Sequence, residues 1–222
     1  MVLSKLTLRL VRWLIVTAVV ALVMLAVAGR ADLVMLNAYL AMCAVIALAM
    51  TLVVDPDLVR ERLRPQKGED EARLLAIRLL FAALFTIALL DIGHLHASDS
   101  VPRPLQILAL VVAFVGFLFV VWAMAANRFF VPVIRIQSER GHQVVDRGPY
   151  EWVRHPGYAG LVLLGPASAL ALGSWWALVP ALVVAALFVR RAAHEDRFLR
   201  QHLDGYAKYA ARVRFRLIPG IW

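Results

Sequence analysis

The sequence predicts an all-α, polytopic membrane protein of about six transmembrane helices, the last two forming a hairpin. Two observations predict it. Hydrophobic residues make up 62% of the 222 positions and the mean hydropathy is +0.76. That is more apolar surface than a water-soluble domain can hide, so several runs must face lipid. The second observation is where the basic residues fall. Of 24 Lys and Arg, 21 lie in four segments: three near the N-terminus, five in 60–73, five in 128–154 and eight in 190–216.

Five apolar stretches carry the helices, at 11–28, 33–54, 74–90, 105–126 and 157–189. About 20 residues cross the hydrocarbon, so the first four each suit one helix. The fifth runs for 33 residues without a charge, too long for one crossing. Pro166, Gly173 and Pro180 break it, and Gly173-Ser174 reads as a tight turn between two helices. Six crossings put the four basic segments on one side and leave Arg30 and Arg103 on the other. The positive-inside rule then places both termini in the cytoplasm, and the net charge of +9 expresses topology and attraction to anionic lipid. No folded basic face is left for nucleic acid. A basic start, an apolar run and Ala26-Val27-Ala28 also fit a cleaved leader, but the expectation is a retained first helix. Cys43, the single cysteine, forms no intramolecular disulfide and reads as a small core residue.

Between these stretches, 55–73 reads as a solvated connector with a short surface helix, and 91–104 as the longest outer loop. There is no internal repeat. Residues 127–156 and 190–222 are polar, aromatic and on the cytoplasmic side. A short hairpin joins them, so together they can close a pocket at the membrane surface, with 1–222 forming one domain.

Two constellations in that half can carry chemistry. In 142–158, His142, Tyr150, His155 and Tyr158 each offer a flat face and a hydrogen-bonding tip. Gly148-Pro149 imposes a turn, Pro156 pushes His155 out of helical geometry, and Gly157 lets backbone approach a ligand. Free N–H groups at the start of the following helix suit a carboxylate. The plainer reading is an interfacial belt, with Arg147 and Arg154 snorkelling. In "RRAAHED", 190–196, Arg191 and Glu195 are four apart and share a helix face, as an ion pair at a helix exit or as ligand-holding groups. His194 reads as solvated. Asp91, His94 and His96 lack a fourth ligand, so no metal site is expected. Arg78 reads as a snorkelling or bundle-paired residue. There is no phosphate loop, nucleophile elbow or Cys–His pair.

With their spacing, these residues resemble the isoprenylcysteine carboxyl methyltransferase family of integral membrane enzymes. The matching stretches are "GPYEWVRHPGYAG" at 148–160, Arg191 four before Glu195-Asp196, and "GYAKYAARVRFRLIPGIW" at 205–222. The resemblance covers about 135–222; the first four helices match only in being apolar. The apolar runs put four transmembrane helices in 1–126, and the resemblance implies a methyltransferase-like catalytic half in 127–222. The cofactor it implies is S-adenosyl-L-methionine, contacted by His142, Gln143, Val144, Val145 and Tyr150, then by His155, Pro156, Gly157 and Tyr158. Arg191 takes the place of the arginine that orients a substrate carboxylate, and Glu195 that of a cofactor-binding glutamate. An upstream cofactor glutamine corresponds to Gln137, with Arg135 competing. The chain departs from the pattern in its few helices and in Asp196 for a second glutamate.

Methyl transfer to a carboxylate is an in-line displacement that needs no general base, so the enzyme's work is alignment, worth about 7–11 kcal/mol. A guanidinium suits a carboxylate through bidentate geometry. The donor arrives from the cytoplasm and a lipophilic or lipidated acceptor from the bilayer, so the pocket lies at their interface. Three rivals stay open. One is a nicotinamide-dependent reductase, because sterol reductases resemble this family in their C-terminal half. The second is methylation of a lipid amine or phenol, with Glu195 or His155 as base. The third is a non-catalytic assembly factor.

Overall fold

The computed structural model describes residues 4–64 and 71–222, and in these every regular element is helical. Helices α1 (Lys5–Ala28), α2 (Val34–Val53), α4 (Glu71–Leu90) and α5 (Arg103–Ala126) correspond to the first four apolar stretches. Each is long and apolar enough to cross a membrane, α4 together with the π-turn Asp91–Leu95 that follows it. Large apolar side chains such as Leu14, Leu22, Leu79 and Leu108 stand exposed on their outer faces, as lipid-facing surface must. Polar bonds fasten α1 to α2: Trp13 Nε1 donates to the Ala44 carbonyl at 3.0 Å and Arg9 donates to that of Thr51.

The fifth stretch divides as expected, into α6 (Pro156–Leu172) and α7 (Leu178–His202). Gly173 makes the division, since its φ of 87° is a left-handed conformation that costs glycine little. Pro166 does not break the stretch: α6 runs through it. Proline forfeits one hydrogen bond, and the burial of most of α6 outweighs that loss. Pro180 sits in the first turn of α7, where a missing N–H costs nothing. α6 has only 17 residues, and α7 turns polar from Arg190 onward. Four helices thus qualify individually as spans among the described residues, and the hairpin packs among them.

α6 is the most enclosed helix. Gly160, Leu164, Gly165, Ala167, Ser168 and Ala171 are buried in it. Small residues let neighbouring backbones approach closely, the usual basis of helix association in lipid. A Cβ on Gly116 of α5 would lie 2.9 Å from the Gly160 carbonyl oxygen, and one on Gly160 would overlap the Gly116 carbonyl. Tyr39 of α2 bonds Ser168 at 2.8 Å, both buried.

At the Gly173 end of the bundle the hairpin turn is latched to the 91–104 loop. The Asp91 carboxylate, 1% exposed, accepts from Ser98 Oγ and Ser174 Oγ at 2.5 Å and from the Ala97 N–H at 3.0 Å. His94 reaches the Val27 carbonyl at 3.0 Å and His96 faces Asp99 at 3.5 Å. The three residues weighed as metal ligands therefore have separate partners.

In the connector, Asp55 caps α3 (Pro56–Leu63) by accepting from the Asp57 N–H at 2.8 Å. The rest of the expected connector, 65–70, lies outside the described residues. The tail adds α8 (Tyr206–Arg212).

Gly160→Ala should therefore force α5 and α6 apart and cost about 1–3 kcal/mol, lowering the melting temperature by several degrees. Leu163→Ala, on the exposed face one turn on, should leave it nearly unchanged. Equal melting curves for wild type and Gly160→Ala in detergent would refute the close contact.

Candidate functional site

Where α5 ends, the chain leaves the bundle and wraps a cavity of about 300 Å³. Asn127 starts the wrap. Its Oδ1 accepts from the Phe129 N–H at 2.8 Å and its Nδ2 donates to the Tyr150 hydroxyl at 3.2 Å. Gln137, fully buried, donates from Nε2 to the Phe129 carbonyl at 2.8 Å and accepts from Arg140. The Gln137 N–H donates to His142 Nδ1 at 3.3 Å, so that ring nitrogen carries no proton. Burial, with Arg135 and Arg140 nearby, brings the His142 pKa down to about 4. A turn at Gly148–Glu151, with Pro149 in it, then delivers Tyr150, and Pro156 opens α6 with His155 in a non-helical conformation, φ −129° and ψ 61°.

A buried carboxylate holds this wrap against α7 and the tail. Asp196, with no solvent exposure, accepts from Arg154 Nε at 2.6 Å and Nη2 at 3.2 Å, from Arg216 Nε at 3.1 Å and from Arg200 Nε at 3.2 Å. The Tyr206 hydroxyl donates to it at 3.1 Å, and His155 Nε2 lies 3.5 Å away. Arg154 Nη1 also bonds the carbonyls of Val213 and Arg214, at 2.7 and 2.8 Å. The backbone N–H groups of Arg154 and His155 donate to Phe215 and Arg216 at 3.0 and 2.9 Å. Burial pushes the hydroxyls of Tyr150, Tyr206 and Tyr209 upward, so they stay protonated donors.

Inside the cavity, Arg191 Nε donates to the Tyr158 hydroxyl at 2.7 Å, which in turn donates to Glu195 Oε2 at 2.6 Å. Arg191 also donates to the Pro132 carbonyl. Tyrosine thus stands between the two residues whose spacing pointed to an ion pair. At Gly157 the close approach is to the protein's own Phe130 ring, which a Cβ there would overlap.

Of the residues singled out from sequence, His142, Gln143, Val144, Val145, Tyr150, His155, Gly157, Tyr158, Arg191 and Glu195 all line this cavity. Pro156 and Gln137 do not. Pro156 is buried at the start of α6, and Gln137 spends its amide on the wrap, whereas Arg135 reaches the lining. Arg154 does not snorkel: it is 4% exposed and carries the Asp196 cluster. Only Trp152, 58% exposed, fits an aromatic belt. His194 is half-buried against a second cavity rather than solvated. The sequence reading missed the contribution of the first half. Arg62 of α3 and Leu74, Ile77, Arg78 and Phe81 of α4 also line the site. Arg62 donates to the Phe130 carbonyl at 2.9 Å and lies 5.4 Å from that ring's centroid. The one signal for this wall was Arg78, a charge inside an apolar run.

The structure combines helices long and apolar enough to cross a membrane with an aromatic cavity at their polar ends that Arg191 and Glu195 line. Part of this chain is similar to known proteins. The model of the isoprenylcysteine carboxyl methyltransferase (ICMT) family matches residues 107–201, from α5 almost to the end of α7. A probable protein-S-isoprenylcysteine O-methyltransferase of Oryza sativa subsp. indica is 35% identical over 92 residues, 40% of this chain and 48% of that protein. Protein-S-isoprenylcysteine O-methyltransferase B of Arabidopsis thaliana is 33% identical over 100 residues, 40% and 47% of the two chains. The chain spans about half the length of these curated relatives. The resemblance read from the sequence therefore holds over 107–201. It begins earlier than expected, within α5, and ends before the 205–222 tail.

Two outcomes follow. Asp196→Asn would strand Arg154 in the interior, and breaking a buried pair costs about 3–5 kcal/mol, seen as a clear fall in melting temperature. For His142, the folded pKa is depressed, so its contribution is complete above about pH 6.5 and is lost as pH falls toward about 4. Wild-type melting temperature should therefore drop between pH 7 and 5 more steeply than that of His142→Asn. Parallel curves would remove His142 from the pH response.

Proposed function

We propose that this chain is an S-adenosyl-L-methionine-dependent methyltransferase that methylates the carboxylate of a lipophilic acceptor at the cytoplasmic face of a membrane. The observation that carries the reading is the relay from Arg191 through Tyr158 to Glu195 inside a cavity lined on one side by aromatic rings and on another by the apolar faces of α4 and α7. The names of the matching relatives support the reaction class.

The residues present fit the cofactor. The faces of Tyr150, His155, Tyr158 and Tyr206 suit a sulfonium cation. Glu195, an acceptor-only group when ionised, suits an amino group. Gly157 lets the Phe130 ring pack directly on the start of α6 and so close one wall of the cavity. When bound, the cofactor supplies an electrophilic methyl carbon. The chain's own contribution is positional. Tyr158 fixes the Glu195 carboxylate and the Arg191 guanidinium relative to each other. Arg191 supplies the positive charge for an anionic acceptor, and Leu74, Ile77, Phe81 and Phe188 exclude water along the acceptor's apolar part. An ionised carboxylate attacks without a base, so this reaction asks for no proton transfer to the chain. Both termini and the cavity lie on the cytoplasmic side in this reading, with the Gly173 turn outside. A reporter fused at Gly173 should read external; a cytoplasmic signal there would overturn the topology.

Ligand titrations separate the roles. Glu195→Gln loses a charge-assisted bond worth about 1.5–3 kcal/mol, so S-adenosylhomocysteine should bind about 10- to 100-fold more weakly. Arg191→Ala should leave that affinity nearly intact while abolishing turnover, and Arg191→Lys should rescue poorly. Tyr158→Phe should affect both steps, since it releases both partners. Equal cofactor affinity in wild type and Glu195→Gln would sink the assignment, and binding of NADPH in place of S-adenosylhomocysteine would replace the reaction.

A further inference from the structure

The wall that α3 and α4 give the methyl-transfer cavity is charged as well as apolar. Leu74, Ile77, Arg78 and Phe81 of α4 all line it. Spacings of three, four and seven put them on one helix face, so Arg78 stands among the side chains that face the cavity. It also lies one turn inside the apolar run that begins at Leu74. A charge in such a run is costly, and where it faces a cavity it marks a place for a ligand. Arg62 of α3 lines the same space.

The two guanidiniums act on one another. Burial above all holds the Arg62 pKa below its ordinary value; Tyr158 opposes that and Arg78 adds to it. Arg62 is therefore within electrostatic reach of both. Among the described residues neither Arg62 nor Arg78 enters an ion pair, and Arg62 has one hydrogen bond, from Nη1 to the Phe130 carbonyl at 2.9 Å. The acids nearby are engaged elsewhere. Glu61 accepts from Arg64 and Arg135, Asp196 from Arg154, and Glu195 from Tyr158. Two like charges repel more strongly in surroundings less polar than water, and an oxyanion between them turns that repulsion into binding.

We propose that the acceptor carries two anionic groups: the carboxylate that is methylated, received by Arg191, and a second oxyanion held between Arg62 and Arg78 on the facing wall. The acceptor is then a dianionic amphiphile, its apolar part lying along Leu74, Ile77 and Phe81. This rests on the methyl-transfer reading and adds that Arg62 and Arg78 set its specificity. Guanidinium forks match carboxylate and phosphate oxygens alike, so either oxyanion suits the pair.

The test measures binding by the full chain in non-ionic detergent, without cofactor. Three probes share a tetradecyl chain on the carbon that bears a carboxylate. Hexadecanoate has that carboxylate alone, tetradecylsuccinate adds a second, and 2-phosphonohexadecanoate adds a phosphonate. Wild type should bind one or both dianions about 10-fold more tightly than hexadecanoate, read as a larger rise in melting temperature at equal mole fraction. The tighter of the two names the oxyanion. Arg78→Gln should abolish the preference while leaving hexadecanoate binding and S-adenosylhomocysteine affinity unchanged. Arg78→Leu, which extends the apolar run, repeats the measurement should glutamine unsettle the helix. Arg103→Gln, at the Gly173 end of the bundle, should keep the preference. Equal binding of the three probes by wild type, or binding of none, would overturn the second oxyanion site. A preference that survives in both Arg78 variants would overturn it too, and one that falls equally in Arg103→Gln would overturn it in favour of net charge. S-adenosylhomocysteine is titrated separately, so its failure to bind wild type would strike the methyl-transfer reading and leave the comparison of probes standing.

Discussion

A single carboxylate, Asp196, organises the polar half of this molecule. Removing it from water costs several kcal/mol, and only well-aimed donors repay that. Here the bidentate Arg154, the side chains of Arg200 and Arg216 and the Tyr206 hydroxyl provide them. Each donor comes from a different part of the chain: the wrap before α6, the last turns of α7, the tail, and α8. The cluster therefore fixes the site's walls in position before any ligand arrives. Its neighbour in sequence, Glu195, is turned the other way and left to the cavity. One helix thus carries adjacent acids with different surroundings, one enclosed by arginines and one facing the cavity.

The close passage of α5 and α6 plays the corresponding part in the apolar half. Without a hydrophobic drive between helices in lipid, association depends on backbone approach and a few polar bonds. Gly116 and Gly160 supply the approach, and Tyr39 with Ser168 supplies a bond across to α2. This contact also sets where the loop after α5 starts, and hence where Asn127 can catch Tyr150.

Much of this was legible in the sequence because it is local. Pro156 restricts the residue before it, so His155 had to leave the helix. The turn at Gly148-Pro149, the division at Gly173 and the shared face of Arg191 and Glu195 all follow from neighbours within a few positions. The rest was hidden because it depends on distant pairing. Asp196 and Arg154 stand 42 residues apart, and nothing in "HED" marks the aspartate as the more buried acid. Gln137 had the right side chain for a ligand amide, but the Phe129 carbonyl and Arg140 claim it. Pro166 carried the usual sign of a helix end, and the burial of most of α6 overrode it. The wall from α3 and α4 left no motif at all, since apolar lining residues look like any other lipid-facing run.

The latch at Asp91 has a mechanical consequence. With Ser174 pinned at one end and Asp196 at the other, α6 and α7 form a beam clamped at both ends. Such a beam resists tilting, and its stiffness passes directly to Tyr158, Arg191 and Glu195, which are mounted on it. Facing that beam, α3 and the N-terminal end of α4 form the cavity's other wall, tied to the wrap by Arg62 at the Phe130 carbonyl and by Glu61, which accepts from Arg135 at 3.0 Å. The alignment of Tyr158, Arg191 and Glu195 is set on the clamped side.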